Sequence, residues 1–174
     1  MNRITKFLAW LCIITCCLSC VGCEKKAEPQ PILKVITGTQ VGLTIFSYKR
    51  YYIVYDNGKI NRMSEFTPSE SIAYAFNPDA EKENEPYLYL IDTNTEEGEA
   101  WNNIAKSIIS LTNNSDNISF PGALYYINEK YYFTASISKN NSEVNAIFEY
   151  MKSDSSIREV GTFKGSITHV EAYQ

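Results

Sequence analysis

Residues 123–138, ALYYINEKYYFTASIS, contain the pattern that decides the fold class. Aromatic and β-branched residues alternate on both sides of a polar pair, Asn128-Glu129. Two strand-forming runs joined by a short polar turn are typical of a β-hairpin. Ile118–Phe120, just upstream, is expected to start a further strand. This stretch therefore predicts antiparallel β-structure in the C-terminal part of the chain.

Similar patterns extend toward both ends of the chain. Residues 143–163 predict a second hairpin that turns near 153–156, and residues 165–173 predict a final alternating strand. In 51–66, YYIVYDNGKINRMSEF, the triplet Asp56-Asn57-Gly58 tolerates positive φ and predicts another tight hairpin. Three further strands are expected on composition, at Ile32–Thr37, Val41–Tyr48 and Tyr87–Ile91.

Helical signals are few. Trp101, Ile104, Ile108 and Leu111 recur at helical spacing and predict a short helix over about 99–110. Residues 67–76 allow two readings: Thr67-Pro68-Ser69-Glu70 has the form of a helix capping box, whereas the residues that follow alternate as a strand does. Both readings are kept open.

Together these patterns predict a mainly β domain, a single antiparallel meander with at most one or two short helices. Residues 43–55 align without gaps to 123–135, matching at a charged turn followed by Tyr-Tyr. The two C-terminal hairpins resemble one blade of a β-propeller protein. The chain is long enough for only about three or four blades, so we expect a small barrel or sandwich, or partial propeller-like sheets.

The first 23 residues, MNRITKFLAWLCIITCCLSCVGC, have the order of a secretory signal. Arg3 and Lys6 precede an apolar run that ends in small residues and a cysteine. Cys20-Val21-Gly22-Cys23 resembles the lipobox of bacterial lipoproteins, although that family usually has Leu where Cys20 stands. The resemblance implies lipid attachment at Cys23, with Cys20 as the alternative, and a membrane-held protein facing outside the cytoplasm.

Two other interpretations of this segment are an uncleaved anchor and an ordinary cleaved signal. The run is slightly short of the roughly 20 residues that a spanning helix needs. The expected organisation is a signal peptide over 1–22, a lipidated tether over 23–31 and a β-rich extracytoplasmic domain over 32–174. The tether is charged and contains proline, which is typical of an extended linker.

Composition narrows the possible functions. All five cysteines lie within residues 12–23, so the mature domain has neither a disulfide nor a thiolate nucleophile. Removal of Arg3 and Lys6 leaves 14 basic and 20 acidic residues, a net charge of −6. Nucleic acid is therefore not an expected partner, because its binding depends on neutralising phosphates.

Metal sites and catalytic groups are not indicated. One histidine, His169, and no mature cysteine cannot supply the usual zinc ligands. Asp92–Glu97 begins like an EF-hand loop, but Glu97 replaces its glycine and Asn103 its closing glutamate. His169 is interpreted as a surface strand residue, since no nucleophile motif surrounds it. Carboxylates expected in strands have no distinguishing pattern: Glu149, Glu159 and Glu171. No catalytic residue, metal or cofactor is predicted.

Tyrosine is abundant, with 13 residues and adjacent pairs at 51–52, 125–126 and 131–132. Neighbours on a strand face opposite sides, so each pair is expected to place one ring in the core and one outward. The outward rings are candidates for an aromatic patch that binds peptide or sugar, with Tyr52, Tyr126 and Tyr132 named as a group. Tyrosine is also simply a good strand former.

The functional hypothesis is a lipid-anchored, non-catalytic binding module for a peptide, a sugar or an envelope protein. Sequestration of a membrane-active peptide, as in an immunity lipoprotein, is one concrete form. The alternatives are a small β-barrel that carries an apolar ligand, similar to a lipocalin in size, and a structural subunit of an envelope complex. The Gly-x-Trp of lipocalins near the first strand is missing here, where Trp101 is the only mature tryptophan.

Overall fold

The computed structural model describes residues 27–40, 47–70, 72–77, 79–80 and 85–174. The predicted signal peptide, both candidate lipidation cysteines and residues 23–26 of the tether lie outside these ranges, as do residues 41–46 of a predicted strand. None of the helices within the described ranges is long and apolar enough to cross a membrane.

Nine strands and one helix form the described part of the chain. In order they are β1 Pro31–Gln40, β2 Ser47–Tyr55, β3 Ile60–Met63, β4 Ala73–Tyr74, α1 Glu96–Asn113, β5 Ile118–Ile127, β6 Lys130–Lys139, β7 Ser142–Met151, β8 Ser156–Phe163 and β9 Ser166–Ala172.

The strands form two antiparallel sheets. One has four strands in the order β3-β2-β1-β9, and the other has five in the order β4-β5-β6-β7-β8. The prediction of a mainly β, antiparallel meander is confirmed. The described strands pack as an open sandwich and do not close into a barrel.

The five-stranded sheet is the middle of three layers. Leu124, Phe133 and Phe148 on one of its faces pack with the buried side of α1. Tyr125 and Ile147 on its other face pack with residues of the four-stranded sheet. Successive strand residues face opposite sides. The sheet is therefore covered on both faces, which explains why its strands are rich in apolar residues throughout.

Local turn chemistry forms the hairpins as predicted. Asn128 and Glu129 have φ of 50° and 63° and join β5 to β6, while Gly58 has φ of 81° in the turn between β2 and β3. The second predicted hairpin is β7–β8, with Ser155 at φ 51° in its turn. Ile118–Phe120 begins β5 and continues into the first hairpin strand. The final predicted strand is β9.

Two segments differ from expectation. Within 67–76, the described residues form a strand of only two residues, Ala73–Tyr74, which pairs with Tyr125 and Leu124, so the strand reading is the correct one. The predicted strand Tyr87–Ile91 is wrong. Only Leu88 pairs, in an isolated bridge, because Leu90 takes a left-handed φ of 73° that turns the chain away.

Helix α1 is longer than predicted, with 18 residues. Thr95 is its N-cap and accepts a hydrogen bond from the Gly98 backbone N–H, so the helix starts three residues before the expected boundary. Gly98 lies against the Asp92 carbonyl, where a Cβ atom would approach the oxygen to 2.0 Å. The predicted apolar stripe is confirmed, because Trp101 and Ile108 are buried.

The aligned segments 43–55 and 123–135 do not share the expected turn. Lys49 and Arg50 lie within β2, whereas Asn128 and Glu129 form the turn after β5. At the other predicted boundary, β1 begins at Pro31, inside the predicted tether.

Candidate binding groove

A groove of ≈ 490 Å³ opens where the start of α1 meets the end of β5. Trp101 from α1 and Tyr126 from β5 line it, and Tyr74 of β4 lies beside them. The segment before β4 and the end of β9 complete its rim. Side chains from all three layers therefore meet at this place.

Three aromatic rings line the groove, Tyr74, Trp101 and Tyr126, and Tyr131 packs against two of them. The Trp101 ring lies 4.5 Å from Tyr74, 6.0 Å from Tyr126 and 5.5 Å from Tyr131, measured between centroids. Tyr126 and Tyr131 are 4.8 Å apart. Aromatic pairs at these separations contribute about 0.5–1.5 kcal/mol each. The wall is thus held in place by its own contacts before any ligand arrives.

Strand alternation and the helix boundary together create this opening. On β5, Leu124 and Tyr126 face the helix side, but Leu124 is fully buried whereas Tyr126 is 50% exposed. Helix α1 covers the first of them and begins too late to cover the second, because its N-cap is Thr95. Trp101, in the second turn, is the large apolar residue of α1 that lies nearest to the start of the helix.

The three predicted tyrosines occupy different environments. Tyr126 lines the groove. Tyr132 is 3% exposed inside the sandwich, where burial, with the Glu149 carboxylate adding to it, raises the pKa of its hydroxyl to about 12. Tyr52 is half-buried and packs against Phe163 with ring centroids 5.6 Å apart. The three do not form a common patch.

The groove has acidic but no basic lining among the residues that the structure describes. Glu70 and Glu97 are exposed on its rim, and Glu171 lies at its edge beside Ala172. Glu171 differs from the other two, because its charge is already paired within the protein. The available negative charge therefore comes from Glu70 and Glu97.

Glu171 ties the segment before β4 to the four-stranded sheet. Its carboxylate pairs with the Lys34 ammonium and accepts hydrogen bonds from the Ser69 N–H and hydroxyl, at 2.6 and 2.8 Å. Burial raises the pKa of Glu171, but the hydrogen bonds from Lys34, Ser69 and His169 outweigh it and lower the pKa to about 2. The group is an ionised structural link at neutral pH.

His169 also contacts this carboxylate, with Nε2 2.9 Å from Glu171 Oε2. The carboxylate thus lies between the histidine and the Ser69 hydroxyl, which donates to Glu171. In a nucleophilic triad the histidine lies between the serine and the acid, so that it can accept the hydroxyl proton. This order does not activate Ser69. His169 is half-buried on β9 rather than fully exposed.

The other two strand carboxylates are also paired with cations. Glu149 accepts a hydrogen bond from Arg158, and the Lys130 ammonium lies 3.1 Å away. Burial raises the pKa of Glu149, yet these partners outweigh it and lower the pKa. Glu159 pairs with Lys139 at 3.3 Å. A general acid for glycoside hydrolysis needs a raised pKa, which neither Glu149 nor Glu171 has.

The turn at Asp92 holds Thr95, the N-cap residue of α1, in place. The Asp92 carboxylate accepts a hydrogen bond from the Asn94 N–H, and the Asp92 backbone carbonyl accepts one from the Thr95 hydroxyl. Within the described ranges, no three side chains of His, Cys, Asp or Glu are grouped as a metal ion would require.

Sequence reasoning missed most of the groove. It interpreted Trp101 only as a helix core residue and did not associate Tyr74 or Glu97 with Tyr126. The adjacent Tyr125-Tyr126 pair was the one local signal, since one of the two rings had to face α1 or solvent. The remaining residues converge only through the packing of α1 and β4 on β5.

Comparison of the chain with family models, curated proteins and solved structures finds no match. Function must therefore be inferred from the geometry of the chain itself.

Proposed function

We propose that this chain is a non-catalytic binding module, held by lipid on Cys23 at the outer side of a cell membrane. Its ligand is a peptide, a sugar or an envelope protein, and the ligand binds in the groove. The observation that carries this proposal is the half-exposed Tyr126 ring beside Trp101 and Tyr74, with exposed Glu70 and Glu97 on the rim.

The composition of the groove supports ligand binding. Binding sites combine apolar and aromatic walls with a few polar groups, in cavities of about 300–1,000 Å³. The groove has a volume in this range, ≈ 490 Å³. One of its lining side chains, Ile72, is apolar and 71% exposed, so it offers contact area to a ligand. Aromatic residues are enriched at interface cores, which suits a peptide or protein ligand.

The other two hypotheses have less support. A lipocalin-like carrier requires a closed barrel around a cavity, whereas the described strands form two open sheets whose shared interior includes fully buried Leu33, Val35 and Val54. A structural subunit would need no groove of this composition, and no separate observation favours it.

The lipid anchor is tested by substitution at Cys23 in a bacterial host. We expect Cys23→Ala to abolish incorporation of an alkyne-labelled fatty acid and to move most of the protein into the soluble or secreted fraction. Cys20→Ala is the matched control and should change neither result. Full membrane partitioning of Cys23→Ala would overturn lipidation at this residue.

The groove is tested by photo-crosslinking in living cells. A photoreactive phenylalanine analogue replaces Tyr126 in one variant and Tyr48 in another. Both positions are exposed, at 50% and 67%. Tyr48 pairs with Thr39, near the C-terminal end of β1. Leu33, near the other end of β1, pairs with the groove residue Ala172. Tyr48 therefore lies at the end of the four-stranded sheet that is away from the groove.

We expect Tyr126, but not Tyr48, to give one dominant adduct that mass spectrometry identifies. The yield of this adduct should fall at least about fivefold when Ile72→Ser is added, because this removes an exposed apolar side chain that lines the groove. Equal labelling from both positions, or none from Tyr126, would show that the groove is not the binding site.

A further inference from the structure

A second cavity, of ≈ 270 Å³, borders the groove. It shares Tyr74, Glu97 and Trp101 with the groove, and Leu90 and Asp92 also line it. The groove and the second cavity are together called the channel, and the three shared residues are called its centre.

Both arms of the channel end at exposed apolar side chains. Ile72 lines the groove arm and is 71% exposed, and Leu90 lines the other arm and is 84% exposed. Leu90 also has a left-handed backbone, with φ of 73°. Leucine in this conformation costs roughly 1–2 kcal/mol relative to the right-handed region. The fold therefore keeps the Leu90 side chain exposed, at a backbone conformation that glycine or asparagine would adopt more easily.

The centre of the channel is negative. Glu97 is exposed between the two arms, with Asp92 on one side and Glu70 on the other, and no basic side chain lines either arm among the described residues. The start of α1 has a partial charge of only about +0.5. Three carboxylates in its first turn outweigh this charge: Glu96, Glu97 and Glu99.

We propose that the channel binds an extended peptide segment in which a basic side chain lies between two apolar side chains. The ammonium or guanidinium group lies against the partly exposed ring of Tyr74, which packs on Trp101, and next to Glu97. The flanking apolar side chains contact Ile72 and Leu90. This inference rests on the proposed function and specifies its ligand.

The peptide form follows from the shape of the channel. Side chains two positions apart on an extended chain face the same way and are about 6.6–6.8 Å apart. An apolar-x-basic-x-apolar sequence therefore presents three side chains on one face, one for each arm and one for the centre between them. Cations bind over Trp and Tyr rings within about 6 Å of the centroid. A carboxylate adjacent to the rings adds selectivity for positive charge.

The test uses the lipidated protein that begins at Cys23, in detergent, where Trp101 is the only tryptophan. The probes are three amidated, acetylated pentapeptides, Leu-Gly-Lys-Gly-Leu and its versions with central Glu or Gln. We expect the lysine peptide to change Trp101 emission with a Kd about tenfold lower than that of the glutamate peptide. n-Butylammonium alone should bind more weakly than the lysine peptide.

Matched variants separate the charge of Glu97 from its position on the helix. Glu97→Gln should reduce the preference for lysine by about fivefold, and Glu97→Lys should reverse it. Glu99→Gln is the control. This residue lies in the same helix turn and is exposed but does not line the channel, so its substitution should leave the preference unchanged.

Equal affinities for the lysine and glutamate peptides, or binding of n-butylammonium as tight as that of the lysine peptide, would overturn this inference but leave the groove as a binding site. Absence of binding by all probes would also overturn it. The photo-crosslinking from Tyr126 tests the proposed function separately, because it does not depend on the sequence of the ligand.

Discussion

The two faces of the five-stranded sheet contain the same kinds of residue, but they are covered in different ways. The face toward the four-stranded sheet buries its tyrosines, since Tyr125 and Tyr132 are 5% and 3% exposed. The other face is covered by a single helix that begins at Glu96 and leaves Tyr126 half-exposed. The comparison teaches that the end of a covering element, rather than the residue type, makes a tyrosine available to a ligand.

The largest expected effect is a loss of stability that distinguishes buried from half-exposed residues on the face toward α1. Phe133→Ala removes a fully buried ring stacked on Phe148 at 5.2 Å, and should lower the free energy of unfolding by about 3–5 kcal/mol. Tyr126→Ala, beyond the helix end, should lower it by only about 1 kcal/mol. Urea unfolding followed by circular dichroism measures both. Similar losses would mean that the groove wall is part of the core.

Acid tests the link that Glu171 makes between the four-stranded sheet and the segment before β4. The pKa of Glu171 is about 2, below its usual value of 4.5, so its pairing contributes stability above pH 4.5 that is lost as pH falls toward 2. The contribution should be about 2 kcal/mol after allowance for solvent screening. The free energies of unfolding of the wild type and of Glu171→Gln should therefore differ at pH 6 and become equal near pH 2. A difference that does not change with pH would contradict the lowered pKa of Glu171.

The N-cap of α1 sets the point at which the helix stops covering the five-stranded sheet. Thr95→Ala removes the side chain that accepts from the Gly98 N–H and should lower the free energy of unfolding by about 1 kcal/mol. Thr95→Ser keeps the hydroxyl and should have little effect. Trp101 emission should shift to longer wavelength in the alanine variant alone, since fraying of the first turn exposes the ring to water.

The smallest effect concerns Leu90, at the open end of the channel. Leu90→Asn should raise the free energy of unfolding by about 0.5–1 kcal/mol, because asparagine tolerates the left-handed backbone. It should also weaken binding of the lysine pentapeptide severalfold. Ile72→Asn is the control, which should weaken binding without the gain in stability. A less stable Leu90→Asn would show that the leucine side chain stabilises the fold.

Sequence reasoning succeeded where local chemistry decides the structure. The turns at Asn128-Glu129 and Asp56-Asn57-Gly58 follow from residues that tolerate positive φ, and the flanking alternation identifies the strands. The predicted strand Tyr87–Ile91 was wrong. Its composition favours a strand, but Leu90 has a left-handed backbone, and no local sequence pattern indicates this conformation. Of the groove, sequence reasoning anticipated an exposed tyrosine but could not select Tyr126 from its group.

The sequence by itself determined the antiparallel hairpins, the apolar stripe of α1, and the acidic balance and absence of cysteine in residues 24–174. Each depends on neighbours along the chain or on composition alone. Only the tertiary structure decided that Lys34, Ser69 and Glu171 meet, and that Tyr74, Glu97, Trp101 and Tyr126 surround one groove. Such contacts join residues far apart in sequence, and their geometry depends on how the helix and the two sheets pack.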